Sequence, residues 1–374
     1  MMPKLFIITG EASGDQHAAQ LVPDLQKRYP NLKIYALAGP AIKAHGATCF
    51  ADIKALNCMG LIEVLSKIPS ILITWLTCLY QLKTHRPTLT LLVDSPAFNL
   101  PLLKWSKRYS QATLYYIAPK LWAHGQKRYL YLKKYVDQLA VIFPFEQDYF
   151  KQRAIPTHYV GNPTYATPLP YPDQHSTRHS LHIPHPIVIG LLPGSRPSEI
   201  KRLLPILIKL AKKCQANNLK LSFLLPIAPT LNAQAIHTQL KDTPITPLLG
   251  HAKQVMQAAD LVIVASGTAC LETAASLTPM IVIYKVHPLT AWIARKKLHT
   301  PWVSLPNILA QKNIVPEVLQ DALTPDSLYQ TMLTYYPNTP AWSKQKQSLI
   351  TLKAQFNTQS TSLHSLIYRY IDKY

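Results

Sequence analysis

The stretch Leu191-Leu-Pro-Gly-Ser-Arg-Pro-Ser-Glu199 decides the fold class of this chain. It overlaps the apolar run 187–192, which predicts a buried parallel strand, and it opens a segment rich in Leu, Ile and Lys that predicts a helix. Gly194 allows a tight turn, and Ser195 and Arg196 follow at the helix start, where backbone N–H groups and the helix dipole favour an anion. The planar guanidinium of Arg196 suits phosphate oxygens. The stretch therefore predicts a phosphate-binding turn of an α/β sheet.

A second strand-to-helix turn of this kind lies further along the chain. The buried run 259–265 is followed by Ser266, Gly267 and Thr268, and Glu272 comes four residues later. A carboxylate in the first turns of a helix can accept hydrogen bonds from the two neighbouring hydroxyls of a ribose. Each turn alone is explained equally well as an ordinary connection, with Glu272 favoured by the helix dipole. Two such turns in one α/β domain favour a nucleotide site.

Length, charge and cysteine content limit the class of protein. The chain has 374 residues and a formal net charge of +21. This length predicts about two domains, and the charge predicts either an acidic partner or simply a basic surface. No nucleic-acid-binding motif is present, so we expect anionic lipid or a phosphorylated substrate and no nucleic acid. Five scattered cysteines without a CxxC pair predict reduced thiols and a cytoplasmic location.

Alternating strand and helix patterns predict two doubly wound parallel sheets, an α/β architecture. We expect two Rossmann-like domains, residues 1–165 and 183–340, that face each other across a cleft and are joined by a Pro-rich linker. The polar segment 341–374 is predicted to be helical, and packing back on the first domain is one option for it. The predicted strands are 4–9, 33–37, 89–94, 112–117, 138–142, 158–160, 187–192, 220–225, 260–264 and 280–284.

Two polar turns follow predicted strands of the first domain. The turn Gly10-Glu-Ala-Ser-Gly-Asp15 lacks the GxGxxG pattern of a dinucleotide site, but its Glu11 and Ser13 are candidates for ligand binding at the carboxyl edge of the sheet. Asp94 ends another predicted strand, and a lone carboxylate there is a candidate general base. The structural alternatives are a helix-start carboxylate at Asp15 and a turn-capping role for Asp94.

The segment 59–80 is unusually apolar for a surface connection. Its apolar residues recur at helical spacing, which core packing explains as well as contact with a membrane or an acyl chain. No run reaches the roughly 18 apolar residues of a membrane span. Together with the basic charge, the segment predicts contact with an anionic membrane surface. The candidate contact residues are Ile62, Leu65, Ile68, Leu72 and Leu76.

Several common catalytic patterns are missing from the sequence. The chain has no GxSxG elbow, no HExxH motif, no acidic metal pair and no GxxxxGK[ST] loop. A hydrolase triad, a catalytic metal and a P-loop NTPase site are therefore not expected. We predict neither a cofactor nor a metal.

In combination, these segments resemble the lipid-A-disaccharide synthases, a family of bacterial inverting glycosyltransferases. The matching stretches follow one another in order across nearly the whole chain. They are Gly10-Glu-Ala-Ser-Gly-Asp15, Ala38-Gly-Pro40, Met59-Gly-Leu-Ile-Glu-Val-Leu65, Val93-Asp-Ser-Pro-Ala-Phe-Asn99, Ala118-Pro-Lys-Leu-Trp-Ala123, Phe143-Pro-Phe-Glu146, Leu192-Pro-Gly-Ser-Arg196, Ala265-Ser-Gly-Thr-Ala269 with Glu272, and Val303-Ser-Leu-Pro-Asn307.

The resemblance implies the GT-B fold and a specific transfer reaction. The donor would be UDP-2,3-diacylglucosamine, the acceptor 2,3-diacylglucosamine 1-phosphate, and the products UDP and the β-1,6-linked lipid A disaccharide 1-phosphate. Asp94 would be the general base, Arg196 would hold the UDP pyrophosphate, Glu272 the ribose, and Asn307 would lie beside the nucleotide. The family is peripheral to the inner membrane. A homodimer is a further option.

Two positions depart from the family pattern, which usually has an aromatic residue at His124 and often a histidine at Asn162. These departures concern the positioning of the acceptor. The alternatives are another metal-free UDP-sugar enzyme of the same fold, either an epimerase or a lipid-linked N-acetylglucosaminyltransferase, and a non-catalytic protein that binds phospholipid or nucleotide. An epimerase would not need the apolar segment 59–80.

Overall fold

A computed structural model describes residues 2–56, 61–123, 125–166, 172–287, 300–357 and 360–373, with side chains from residue 67 onward in the helix that begins at residue 61. The chain divides into two compact units. The first unit is Met1–Pro163 together with Thr358–Tyr374, and the second is Thr164–Asn357.

The first unit is built on a parallel sheet of seven strands in the part of the chain that the structure describes. The strands are β1 Lys4–Thr9, β2 Lys33–Ala38, β3 Thr48–Asp52, β4 Leu89–Val93, β5 Ala112–Tyr116, β6 Gln138–Val141 and β7 Thr157–Tyr159. The strand order is β3-β2-β1-β4-β5-β6-β7, so β1 lies between β2 and β4 and the winding reverses there. Every residue of β4 and β5 is buried, as expected for strands covered by helices on both faces.

Helices cover both faces of this sheet and bury two hydrophobic clusters. One cluster includes Cys78 of a 25-residue helix, together with Leu102 and Leu132 from two later helices. These three helices therefore pack on one face of the sheet. The helices of the first unit are Ala12–Ala19, Val22–Arg28, Pro40–Ala44, Leu61–His85, Pro96–Tyr109, Tyr129–Tyr135, Pro144–Lys151 and Leu363–Ile371, with 3-10 turns at Ile53–Ala55 and Gln126–Arg128.

The second unit contains a parallel sheet of six strands among its described residues. The strands are β8 Ile187–Leu192, β9 Leu221–Ile227, β10 Ile245–Leu249, β11 Leu261–Ala265, β12 Met280–Tyr284 and β13 Glu317–Leu319. The strand order is β10-β9-β8-β11-β12-β13, so β8 lies between β9 and β11. The helices are Pro163–Ala166, Gln174–Ser180, Pro197–Ala216, Ala233–Leu240, Ala252–Ala258, Thr268–Ala275, Leu305–Ala310, Pro325–Thr334 and Pro340–Ala354, with 3-10 turns at Gln320–Ala322 and Gln355–Asn357. Two parallel, doubly wound sheets confirm the predicted α/β class.

The C-terminal segment, predicted as one unit from 341 to 374, is divided between the two units. In the helix Pro340–Ala354, Gln345 exchanges hydrogen bonds of 2.6 and 2.9 Å with the backbone of Met280, which ties this helix to the second unit. The helix Leu363–Ile371 instead buries Leu366 and Ile367 in the core of the first unit.

Candidate active site

The predicted site residues follow the strands at the switch point of each sheet. The turn Gly10–Asp15 follows β1 and Asp94 follows the neighbouring β4, while Gly194 follows β8 and Ser266 follows β11. In doubly wound sheets the connections leave the switch point in opposite directions, which opens a crevice at the carboxyl ends of those strands. Each unit therefore presents its polar turns where such folds bind ligands.

The backbone at Asp94 adopts a rare conformation. Asp94 and Ser95 have φ angles of +48° and +45°, and Ile117, which follows the adjacent strand β5, has a φ of +63°. Non-glycine residues seldom adopt this region, and a β-branched residue does so least readily. Strain of this kind concentrates at functional sites, where the surrounding structure enforces it. The carboxyl edge of β4 and β5 is therefore a candidate site on backbone grounds alone.

Two buried side chains hold the left-handed turn at Asp94 in place. The Tyr115 hydroxyl donates to the Asp94 carbonyl oxygen at 2.7 Å, and the Asn99 amide donates to the same oxygen at 2.8 Å. A Cβ atom at Gly10 would lie 2.1 Å from the Ser95 hydroxyl oxygen, so only glycine fits where the turn after β1 meets this one. These contacts fix the backbone that carries the Asp94 carboxyl group.

The Asp94 carboxyl group has the electrostatic environment of a base that works near neutral pH. Burial, helped by the negative charge of Glu11 and opposed by the positive charge of Lys120, raises the pKa of Asp94 to about 6. A general base is most effective when its pKa lies near the working pH. A raised pKa at the carboxyl end of a strand is an environment in which catalytic bases are found, and the catalytic role of Asp94 stays a prediction.

The three polar side chains of the turn after β1 have different roles. Glu11 is the N-cap residue of the helix Ala12–Ala19, and both Glu11 and Ser13 are exposed. Asp15 is buried, and its carboxylate accepts hydrogen bonds from the backbone N–H groups of Gly39 and Ala41 at 2.8 and 2.9 Å. Asp15 thus holds the start of a later helix, and Glu11 and Ser13 remain the candidates for ligand contact.

The turn after β8 contains an anion of its own. Gly194 has a φ of +108°, and the Glu199 carboxylate accepts from the N–H groups of Ser195 and Arg196 at 3.1 and 3.2 Å. These two N–H groups, which the sequence suggested were free for phosphate, are therefore occupied. The Arg196 guanidinium lies 3.4 Å from the Glu199 carboxylate, and its side chain is 62% exposed. The Arg196 guanidinium is a donor of this turn that remains accessible to a ligand.

The turn after β11 leaves space next to a partly buried carboxyl group. Gly267 and Thr268 are exposed, and a Cβ atom at Gly267 would meet nothing within 4 Å. Glu272 lies in the second turn of the helix Thr268–Ala275, and burial raises its pKa while the positive charge of Lys253 lowers it. The Ser266 hydroxyl donates to the Val303 carbonyl oxygen at 3.0 Å, which connects this turn to the segment before the next helix.

The side chain of Asn307 is held by hydrogen bonds within its own unit. Its side chain is fully buried, and its amide oxygen accepts from the N–H groups of Ile314 and Val315 at 2.7 and 2.9 Å. Its amide nitrogen donates to Glu317 at 2.8 Å, and Glu317 also accepts from the Ser304 hydroxyl at 2.6 Å. Both ends of the Asn307 amide are therefore engaged within the unit. Asn307 therefore supports the segment 303–317, and its place beside the nucleotide stays a prediction.

Residues 5–371 match the family described as lipid-A-disaccharide synthetase. The chain belongs to the lipid-A-disaccharide synthase family. It is 36% identical to the lipid-A-disaccharide synthase of Myxococcus xanthus over 344 residues, which cover 90% of this chain and 89% of that protein. It is 40% identical to lipid-A-disaccharide synthase 1 of Legionella pneumophila (strain Paris) over 322 residues, 85% and 84% of the two chains. The resemblance drawn from the sequence is confirmed, and the chain is a glycosyltransferase of lipid A biosynthesis.

Solved structures with little sequence similarity share the fold of this family member. A putative UDP-N-acetylglucosamine 2-epimerase from Listeria monocytogenes has a TM-score of 0.63 at 10% identity, with 100% of this chain and 98% of that chain covered. The glycosyltransferase of kitacinnamycin has a TM-score of 0.61 at 14% identity, with 99% and 100% covered. At these identities the likeness concerns the fold, and it agrees with two Rossmann-like domains of the GT-B type.

The helix Leu61–His85 carries apolar side chains on two sides. Cys78 and Leu82 are buried, whereas Ile68, Leu72 and Leu76, here called the exposed stripe, are 50%, 53% and 51% exposed. Ile73 and Tyr80 are 65% exposed on the same helix. The side chains of Ile62 and Leu65 lie outside the described residues. Among the described residues, no helix has the length and apolar character needed to span a membrane.

Some important residues of the first unit were not selected from the sequence. Glu146 is 1% exposed, and its carboxylate accepts from the Trp122 indole N–H at 3.0 Å and the Phe143 N–H at 3.3 Å. Burial raises the pKa of Glu146 to about 7, although these donors oppose the shift. The signal available was a glutamate that directly follows two phenylalanines and a proline, at Phe143-Pro-Phe-Glu146. Of the two departures, His124 lies outside the described residues, and Asn162 is buried and donates to the Ile142 carbonyl oxygen at 3.2 Å.

Proposed function

We propose that this protein transfers 2,3-diacylglucosamine from UDP-2,3-diacylglucosamine to the 6-hydroxyl of 2,3-diacylglucosamine 1-phosphate. The products are the β-1,6-linked lipid A disaccharide 1-phosphate and UDP. Family membership supports the reaction class. The Asp94 carboxyl group is the observation that most directly supports this transfer reaction. It is half-buried and lies on a constrained turn at the switch point of the first sheet.

In this proposal Asp94 is the general base. Its carboxylate accepts the proton of the acceptor 6-hydroxyl as that oxygen forms a bond to the anomeric carbon of the donor. The bond between that carbon and the UDP oxygen breaks in the same displacement, which inverts the configuration from α to β. A pKa of about 6 leaves the carboxyl group mostly ionised at pH 7 yet basic enough to take a proton in the transition state.

The second unit would bind the UDP part of the donor. The exposed guanidinium of Arg196 can contact the pyrophosphate, and its charge stabilises the leaving UDP. Gly194 and Ser195 shape this turn, while Ser266, Gly267 and Thr268 give an open approach to Glu272, which can accept hydrogen bonds from the ribose hydroxyls. A likeness of fold to UDP-GlcNAc 2-epimerase from Neisseria meningitidis bound to UDP-GlcNAc agrees with this use of the fold.

The exposed stripe would place the protein on a membrane. Three aliphatic side chains that are about half exposed on one helix form an apolar surface that water disfavours. The helix packs on the same core cluster as the helix Pro96–Tyr109, which carries exposed Lys104, Lys107 and Arg108. Apolar and basic side chains in one layer suit an anionic lipid surface. We therefore place the protein in the cytoplasm, peripheral to the inner membrane, where its acylated substrates reside.

A direct assay tests the reaction. Purified protein is incubated with the acylated UDP donor and the acylated sugar phosphate, and mass spectrometry should detect the disaccharide 1-phosphate together with UDP. Asp94→Asn should lower product formation by about 10² to 10⁴, and Asp148→Asn, at an exposed position of the helix Pro144–Lys151, should behave like the wild type. Epimerisation of the UDP sugar without disaccharide would support the epimerase alternative and reject the proposal.

A further inference from the structure

The backbone of Asp94 is held by hydrogen bonds at both of its polar groups. Its N–H donates to the Tyr116 carbonyl oxygen of the neighbouring strand at 2.9 Å. Its carbonyl oxygen accepts from the Tyr115 hydroxyl at 2.7 Å and from the Asn99 amide at 2.8 Å. The Asn99 amide also donates to the Val93 carbonyl oxygen at 3.1 Å. The peptide groups on the two sides of Asp94 are therefore both fixed.

The two side chains that bind the Asp94 carbonyl oxygen come from different elements and are fully buried. Tyr115 belongs to β5, and Asn99 belongs to the helix Pro96–Tyr109. A buried polar group is unfavourable unless it is hydrogen-bonded, so a hydroxyl and an amide at these positions need a partner. Phenylalanine would fill almost the same space as Tyr115 without this requirement. Core packing alone therefore does not explain the hydroxyl group, whereas its contact with the Asp94 backbone does.

The turn at Asp94 and Ser95 needs such support because both residues have positive φ angles. For a residue with a Cβ atom, the left-handed conformation costs about as much free energy as one neutral hydrogen bond contributes. The two donors on the Asp94 carbonyl oxygen are thus strong enough to hold the turn, and the loss of one would let it relax toward the extended region. Because the Cβ atom follows the backbone, relaxation would also redirect the Asp94 carboxyl group.

We propose that Tyr115 and Asn99 are positioning residues, which aim the Asp94 carboxyl group at the attacking hydroxyl by holding the Asp94 carbonyl oxygen. This inference rests on the proposed function, because it concerns the base of that reaction. Neither side chain touches the substrate in this proposal. Their effect reaches the reaction only through the direction of the Asp94 side chain, and a base that is displaced by a fraction of an ångström transfers a proton less efficiently.

The first test compares two neighbouring tyrosines of β5. Tyr115→Phe should lower kcat about tenfold or more, and it should leave the KM for the acceptor and the affinity for UDP within about twofold of the wild type. Tyr116 is the matched control, because it is also buried but packs in the core cluster on the opposite face of the sheet. Tyr116→Phe should keep the wild-type kcat. Equal values of kcat in the two variants would overturn the inference.

The second test asks whether the Tyr115 hydroxyl acts through Asp94. In an Asp94→Asn background, Tyr115→Phe should cause no further loss of turnover, because the carboxyl group that it positions is already absent. Asn99→Ala removes the other donor and should behave in the same way in both backgrounds. If Asn99→Ala does not fold, the Tyr115→Phe pair still decides the question. Losses that multiply in the Tyr115→Phe double variant would show that Tyr115 does not act through Asp94.

A third measurement does not depend on turnover. Burial is the largest cause of the raised pKa of Asp94, so a relaxed turn that exposes the carboxyl group should lower that pKa. NMR titration of this carboxyl group should therefore give a lower pKa in Tyr115→Phe than in the wild type, and the wild-type pKa in Tyr116→Phe. An unchanged pKa in Tyr115→Phe would overturn the inference. If the wild type makes no disaccharide, the proposed function fails, and this titration still reports whether Tyr115 holds the turn.

Discussion

The pH dependence of turnover is the sharpest test of Asp94 as the base. The pKa of its carboxyl group is raised from the ordinary 3.8 to about 6. At about 1.36 kcal/mol per pKa unit, this is roughly 3 kcal/mol of bias toward the protonated form. A general base must be ionised before it can accept a proton, so activity should rise with pH through the pKa of Asp94.

The expected size of the effect follows from these values. With a pKa of about 6, roughly nine-tenths of the molecules are ionised at pH 7 and roughly one-tenth at pH 5, so kcat/KM should fall about tenfold between them. A carboxyl group that kept its ordinary pKa would lose less than about a tenth of the rate over the same range. The two cases are easily separated by steady-state rates at a fixed low donor concentration.

Two variants test whether specific charges cause the fall in activity toward acid pH, here called the acid limb. Asp94→Asn should lower turnover by about 10² to 10⁴, and the pH profile of its residual activity should lack the acid limb near pH 6. Glu11→Gln removes a like charge and should move the limb to lower pH. Asp148→Asn should leave it unchanged. A limb near pH 4, or one that persists in Asp94→Asn, would refute the reasoning.

The remaining predictions concern the donor, the membrane and stability. Arg196→Ala should weaken UDP binding about tenfold or more in calorimetry, because a charge-assisted phosphate contact is lost. The control Lys212→Ala should bind UDP as the wild type does. Unchanged UDP affinity in a folded Arg196→Ala protein would reject this role of Arg196. Serine at the three positions of the exposed stripe removes roughly 2–4 kcal/mol of the free energy gained when apolar side chains move from water into lipid. This triple variant should no longer sediment with anionic liposomes, whereas Leu249→Ser should still do so. Continued sedimentation of the triple variant would place the membrane contact elsewhere. The pKa of Glu146 is raised from 4.5 to about 7, so ionisation of this carboxyl group disfavours the folded state. The free energy of unfolding of the wild type, relative to that of Glu146→Gln, should therefore fall by about 3 kcal/mol as pH rises from 4.5 to 7. A difference in denaturant unfolding that does not depend on pH would contradict this.

The strands that the sequence analysis missed share one position in the fold. Thr48–Asp52, Ile245–Leu249 and Glu317–Leu319 all lie at sheet edges. Edge strands of these sheets are only partly buried, so they lack the continuous apolar run that identifies a central strand such as Ile187–Leu192. Pro247 lies within Ile245–Leu249, where proline is tolerated only because a strand at the edge needs fewer backbone donors. The apolar pattern therefore predicted the central strands of each sheet, and of the four edge strands it predicted only Thr157–Tyr159.

The same physical limit applies to the site. The sequence suggested Asp94 and Arg196 as candidates because a polar residue after an apolar strand is visible in a linear pattern. It did not show that the Glu199 carboxylate accepts from the N–H groups of Ser195 and Arg196. It also did not show that the Asn307 amide forms hydrogen bonds with the segment around it. Those facts depend on side-chain direction, which residue spacing does not encode. Only a folded chain shows which polar atoms already have partners, and a ligand can use only those that remain accessible, such as the Arg196 guanidinium and the Asp94 carboxyl group.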